Sequence, residues 1–136
     1  MEIKCTQSFC DQFSRLKRKK SYRDLEALLA KFFHEKEFKD LLSGARIHDT
    51  PGKPFIKKRL GGSGGYRLYY IADENEENIY NLVIYPKTGP DAQANITDAE
   101  KVECIRELVN AKKKGNLFVC RIDENGKELS FEKENL

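Results

Sequence analysis

The chain has 136 residues, 35% of them charged and 39% apolar, with a net charge of +3. That composition excludes disordered and fibrous classes and suits one globular domain, which at this length buries roughly 68% of its unfolded surface and needs neither disulfide nor metal to hold a core. No apolar run approaches the ~20 residues of a membrane span, and the opening MEIKCTQSF carries no apolar leader, so a cytoplasmic protein with no membrane partner is expected.

Residues 2–7 read as a short strand, with Ile3 and Cys5 alternating against Lys4 and Thr6. Ser8 is the expected cap of a helix whose apolar positions are Phe9, Phe13 and Leu16. Its opposite face carries Arg15, Lys17, Arg18, Lys19 and Lys20. Ser21 is the expected cap of a second helix, with Leu25, Leu28, Leu29, Phe32 and Phe33 as its stripe. Two helices so closely joined pack as an antiparallel hairpin. A helical turn over 38–42 ends at Ser43-Gly44. Residues 44–54, with Pro51, Gly52 and Pro54, read as a loop.

Strands are expected over 55–60, 66–72 and 78–85, joined by the Gly/Ser turn 61–65 and the acidic turn 73–77. The third is apolar on both faces and therefore central, and the three form an antiparallel meander. Thr97 and Glu100 fit a capping box for a helix that buries Val102, Ile105, Leu108 and Val109 and ends on Lys112, Lys113 and Lys114. Residues 117–131 read as a hairpin turning at Asn125-Gly126, with Ile122 opposite Leu129 and Cys120 opposite Phe131. Such a hairpin is marginal alone. It either extends an open sheet edge or lies near the basic strands with its five carboxylates.

The four cysteines, Cys5, Cys10, Cys104 and Cys120, form no Cys-x-x-Cys pair, and with only His34 and His48 beside them no zinc spacing is present. Reduced, mostly buried thiols are expected. The charge distribution carries more. Residues 53–72 hold five bases, Lys53, Lys57, Lys58, Arg59 and Arg67, and no acid. Composition alone fits a solvated strand face as well as a surface for polyanions. Strand alternation puts Lys57 and Arg59 on one face and Lys58 on the other, and Arg67 with Tyr69 on one face of the next strand. If the strands pair across the glycine turn, Lys57, Arg59 and Arg67 converge, and Lys87 follows the third strand just past Tyr85. Cations beside aromatic rings suit a phosphodiester and stacked bases, which makes Lys53, Lys58, Tyr69 and Tyr85 candidate RNA contacts. Against this, a sheet-face lysine such as Lys58 also serves solubility, and the tyrosines are strand-packing residues. The glycine turn lacks the helix and Gly-Lys-Ser/Thr of a phosphate loop. His48 reads as a loop histidine, residues 73–77 as an exposed turn, and no carboxylate pair suits acid–base work.

The runs Phe-Ile-Lys-Lys-Arg-Leu (55–60), Gly-Gly-Tyr-Arg-Leu-Tyr-Tyr (64–70) and Asn-Leu-Val-Ile-Tyr-Pro-Lys (81–87) resemble the core of the RelE superfamily of bacterial toxins, nearest its HigB branch. The resemblance covers about residues 2–112. It implies an α+β, RelE-like fold: an N-terminal strand, a helical hairpin, an antiparallel three-stranded meander and a C-terminal helix. Residues 1–114 would be the toxin domain, and 115–136 an added β-hairpin packed on it. It further implies the toxin of a type II toxin–antitoxin system, an mRNA endoribonuclease working on the ribosome without metal or cofactor and neutralised by a cognate antitoxin. Carried over, Lys57 and Arg59 match the family's Lys-x-Lys pair, Arg67 its phosphate-holding arginine, and Lys87 the basic position at the strand end. Thr88 stands where RelE has a further arginine, and residues 90–114 contain no tyrosine, so the acid and base stay unassigned. A ParE-like gyrase inhibitor and an inactive RNA- or protein-binding module are the alternatives on the same fold.

Overall fold

A strand that is apolar on both faces must be covered on both, and the chain arranges its helices accordingly. The computed structural model describes residues 1–134; the last two residues of the expected extension lie outside the described residues. The elements run β1 (Ile3–Cys5), α1 (Gln7–Lys17), α2 (Leu25–Phe33), β2 (Ala45–Thr50), β3 (Lys53–Leu60), β4 (Tyr66–Asp73), β5 (Asn78–Pro86), α3 (Asp98–Lys114), β6 (Phe118–Ile122) and β7 (Leu129–Lys133). The fold is mixed α+β, with three α-helices and one seven-stranded sheet ordered β2-β3-β4-β5-β1-β6-β7. Beneath α1 and α2 lies a core containing Phe9, Leu25, Leu29, Ile56, Leu68, Tyr70 and Ile84. The opposite face forms a second core in which Phe55, Tyr69, Ile71, Tyr80 and Tyr85 meet Leu108 and Ala111 of α3. Among the described residues no helix is long and apolar enough to cross a membrane. All four cysteines are free, and all but half-buried Cys104 are buried.

The meander has four strands rather than three. The expected loop over 44–54 holds β2, antiparallel to β3 with an irregularity between Arg46 and His48. Pro51 and Gly52 (φ +76°) form a hairpin turn, Pro54 lies within β3, and His48 sits on a strand opposite Phe55. Both early helices start elsewhere than expected. Thr6 caps α1 by accepting from Phe9 N (3.4 Å). Ser21 lies in a 3₁₀ turn, and α2 begins after Asp24. The Asp24 carboxylate makes no cap because it accepts from the Tyr66 hydroxyl (2.5 Å).

Helix α3 has the expected capping box, but Val102 and Val109 are exposed. The helix rests on Cys104, Ile105, Leu108 and Ala111, a stripe one position removed from both valines. The turn after β4 also differs, since Asp73 is only 2% exposed. Its carboxylate accepts from Asn75 N and Glu76 N and lies 3.8 Å from Lys53 and 3.7 Å from Lys112.

The C-terminal hairpin extends the sheet. β6 pairs antiparallel with β1, and β7 pairs with β6 in the expected register, Ile122 opposite Leu129 and Cys120 opposite Phe131. Its turn is wider than two residues: Gly126 N donates to Asp123 O (3.0 Å), and Gly126 takes the left-handed conformation (φ +69°). The hairpin lies beyond β1, with β5 and β4 separating it from β3, so its carboxylates do not screen the basic strands. Phe131 packs edge-on to Phe9 and Phe13, and Glu26 of α2 accepts from Leu129 N (2.9 Å). Phe131→Ala is expected to cost about 2 kcal/mol in urea unfolding, below the ~3–5 of a fully buried ring because Phe131 is half-buried. Removal of residues 115–136 should lower the Tm more than this single change.

Candidate nucleic-acid interface

The register of three strands builds the site. Lys57 stands opposite Tyr69 and Tyr69 opposite Val83; two residues along, Arg59 stands opposite Arg67 and Arg67 opposite Tyr85. Directly paired residues share a face with Cα atoms roughly 4.5–5.5 Å apart. Arg59, Arg67 and Tyr85 therefore form a row across the sheet, and Lys57 flanks it. Helix α3 covers the far part of this face through Leu108 and Ala111, and its first turn meets Tyr85 of the row through Glu100.

The segment between β5 and α3 approaches the cations of this face. Arg67 Nη1 donates to Gln93 O (2.8 Å), and Lys57 Nζ donates to Asn95 Oδ1 (3.2 Å). The Tyr69 hydroxyl donates to the same Asn95 oxygen and accepts from Ile96 N, both at 3.4 Å. Tyr22 anchors the other end of the segment, donating to Thr88 O (3.2 Å) and accepting from Asp91 N (2.9 Å). Gly89 (φ +87°) lies so close that a Cβ would stand 2.7 Å from the Tyr22 hydroxyl.

Among the described residues, no carboxylate lies within ion-pair distance of Lys57, Arg59, Arg67 or Lys87. Lysines elsewhere are neutralised: Lys19 by Asp91 (2.6 Å), Lys101 by Asp98 (2.8 Å) and Lys112 by Glu76 (2.8 Å). The buried Nε of Arg67 meets no acceptor among the described residues. For Lys57 and Arg67 the partners are thus a neutral amide and a neutral carbonyl oxygen, and an anionic oxygen is a stronger acceptor for both.

The sequence-predicted residues separate into two groups. Lys57, Arg59, Arg67, Tyr69 and Tyr85 share one face. Lys87 follows β5 at the same end of the sheet, its N–H donating to Gly65 O (2.9 Å). Lys58 points to the other side and donates to Ser43 Oγ (3.0 Å), while Lys53 lies at the far end of β3 beside Asp73. Tyr69 is fully buried, ring and hydroxyl alike, and walls the core while its hydroxyl holds Asn95 and Ile96 in place. Burial raises the Tyr69 phenol pKa, with a nearby Arg67 and the Ile96 N–H opposing the shift.

Glu100 is the functional candidate that sequence reasoning missed. The Tyr85 hydroxyl donates to Glu100 Oε2 (2.7 Å), while Oε1 accepts from Thr97 N (3.1 Å). Burial, and the bond to Glu100, push the Tyr85 phenol well above its ordinary pKa; the same bond holds the Glu100 carboxyl below the usual carboxylate range. The one sequence signal for Glu100 was its place in a capping box, which assigns it to the helix. Beside the pair, β1 pairs with β5 only at residues 79–81 and leaves the rest of that edge open. Gln12 of α1 caps Ile84 N there (2.9 Å). A cleft of about 700 Å³ follows between α1 and α3, lined by Asp11, Gln12, Arg15, Tyr85, Glu100 and Glu107 among others. Among the described residues no group of three or more His, Cys, Asp or Glu is placed to hold a metal ion. The Cys104 thiol is pushed up to about 11 chiefly by burial, which favours the thiol over the thiolate at neutral pH.

Single-stranded RNA is expected to bind this face with strong salt dependence. About four phosphate contacts, from Lys57, Arg59, Arg67 and Lys87, give a log–log slope of roughly −3 in a filter-binding or anisotropy titration. The double change Arg59→Ala with Arg67→Ala should bring that slope to about −1.5. Set against known proteins, the chain matches no family model, no curated protein and no solved structure, so what the site can do rests on its own side chains.

Proposed function

We propose that the chain is the toxin of a type II toxin–antitoxin pair, an endoribonuclease of the RelE and HigB kind that cuts messenger RNA on the ribosome and is restrained by a cognate antitoxin. The observation that carries this reading is the convergence of Lys57, Arg59 and Arg67, free of carboxylate partners among the described residues, with Tyr85 in register beside Arg67. Cleavage of RNA by its own 2′-hydroxyl needs no protein nucleophile. It needs the scissile phosphate held while negative charge gathers on its oxygens, and groups that take and give one proton each. Arg67, with an unpartnered Nε and a planar fork, suits the phosphate; Arg59 beside it offers a second fork. Lys57 and Lys87 bring further positive charge to the developing phosphorane. Products are a 2′,3′-cyclic phosphate and a 5′-hydroxyl.

Arg67→Ala should leave the fold nearly intact, since the hydrogen bond it loses is to a loop carbonyl. It should lower cleavage of ribosome-bound message by about 10²-fold or more, as loss of a transition-state charge donor does. Induced expression of the wild-type chain should arrest growth, with message ends mapping to cuts inside the ribosome, and the variant should do neither. A folded Arg67→Ala protein that cleaves at the wild-type rate overturns the reading.

A further inference from the structure

We infer that Tyr85 and Glu100 form a proton relay that activates the attacking 2′-hydroxyl at a phosphate seated on Arg67; this rests on the endoribonuclease reading above. Tyr85 is the direct cross-strand neighbour of Arg67, so a phosphate held by that guanidinium brings its adjoining ribose to the phenol. Tyr85 Oη has its proton directed at Glu100 Oε2 (2.7 Å), which leaves the oxygen's lone pairs to accept another. Glu100 cannot swing away, because Oε1 is held by Thr97 N and its own N–H donates to Thr97 Oγ1, each at 3.1 Å. Its place in the first turn of α3 also favours the ionised carboxylate. At neutral pH the pair therefore rests with its proton on the phenol and an acceptor site on the carboxylate.

The step balances as follows. As the 2′-oxygen bonds to phosphorus, its proton passes to Tyr85 Oη and the Tyr85 proton passes to Glu100 Oε2. The bond from phosphorus to the 5′-oxygen breaks, and that oxygen takes a proton from the Lys57 ammonium, which lies diagonally across from Arg67 in the register. Glu100 ends neutral, Lys57 ends neutral, and solvent restores both. The groups around Glu100 are Tyr85 and Tyr69 from the sheet, Arg15 and Asp11 from α1 along the shared cleft, and Glu103, Cys104 and Glu107 on its own helix.

The test is single-turnover cleavage on ribosomes programmed with a short message, comparing wild type, Glu100→Gln and Tyr85→Phe between pH 6 and 9. Glutamine is accepted at the third position of a capping box, so Glu100→Gln keeps the helix start. Circular dichroism should match wild type for both variants, and Glu100→Gln should bind ribosomes as wild type does. Both variants should slow by about 10²-fold, the scale of a lost general base. Their rates should then rise about tenfold per pH unit as hydroxide substitutes for the relay, while the wild-type rate stays flat on that limb. Replacing the scissile 5′-oxygen by sulfur, a leaving group that needs no proton, should restore Lys57→Ala and leave Glu100→Gln and Tyr85→Phe slow. The relay is overturned if Glu100→Gln keeps the wild-type rate, if it slows with a flat pH profile, or if the sulfur substrate rescues it. Wild-type protein that generates no cyclic-phosphate ends overturns the endoribonuclease reading itself.

Discussion

The antiparallel register of β3, β4 and β5 is the constraint on which the site depends. Because side chains alternate with a period of two, a one-residue slip of β3 would send Lys57 and Arg59 under the helices and Ile56 into solvent. Buried Ile56 and Leu60 forbid that slip, since both would leave the core they share with Leu68 and Tyr70 beneath α1 and α2. The cations are thus held in place by the apolar residues between them. Between β4 and β5 the register shifts at Tyr69 and Tyr70, which face Val83 and Asn81. The extra residue, Leu82, changes the parity of the strand. Tyr80 and Tyr85, an odd distance apart, consequently share the α3 face, and Tyr85 arrives opposite Arg67.

The electrostatics follow from which partners the fold withholds. Most of the acids near α3 and the turns are engaged elsewhere. Glu76, held down to about 2 chiefly by its bond from Lys112, lies at the far end of the sheet with Asp73. Asp91 pairs with Lys19, and Asp98 with Lys101. Across the row the nearest cover is Gln93 and Asn95, neutral groups that a phosphate can replace without an ion pair being broken. Glu100 reaches the row, but its charge is directed at the Tyr85 phenol rather than at a guanidinium. Positive charge and a polarised Tyr–Glu pair thereby coexist at adjacent positions without cancelling.

The C-terminal hairpin fills a need created by the shortness of β1. Three residues of β1 pair with only part of β5 on one side and leave an edge on the other. β6 and β7 cover that edge and put Phe131 on Phe9 and Phe13. On the uncovered part of β5, where β1 has ended, Gln12 takes over one backbone N–H and the cleft between α1 and α3 opens.

The sequence by itself determined the elements whose signals are local. The alternation in residues 55–60 and 66–72, the Gly/Ser turn, the Thr97–Glu100 box and the Ile122–Leu129 pairing all follow from contacts between near neighbours in the chain. The convergence of Lys57, Arg59 and Arg67 was legible for the same reason, since one short hairpin sets it. Tertiary structure alone decided the rest. β2 was hidden because Pro51 and Gly52 signal a break whether it is a loop or a hairpin turn. Ser21 lost its cap role to a helix start at Asp24, whose carboxylate is drawn to Tyr66 from a strand 42 residues away. Val102 and Val109 were left exposed by the angle at which α3 meets the sheet, which periodicity cannot specify. The Tyr85–Glu100 pair required both a bulge in β5 and the return of α3 across it. Local propensity sets which residues alternate or coil, whereas packing between distant segments sets which of their polar atoms meet.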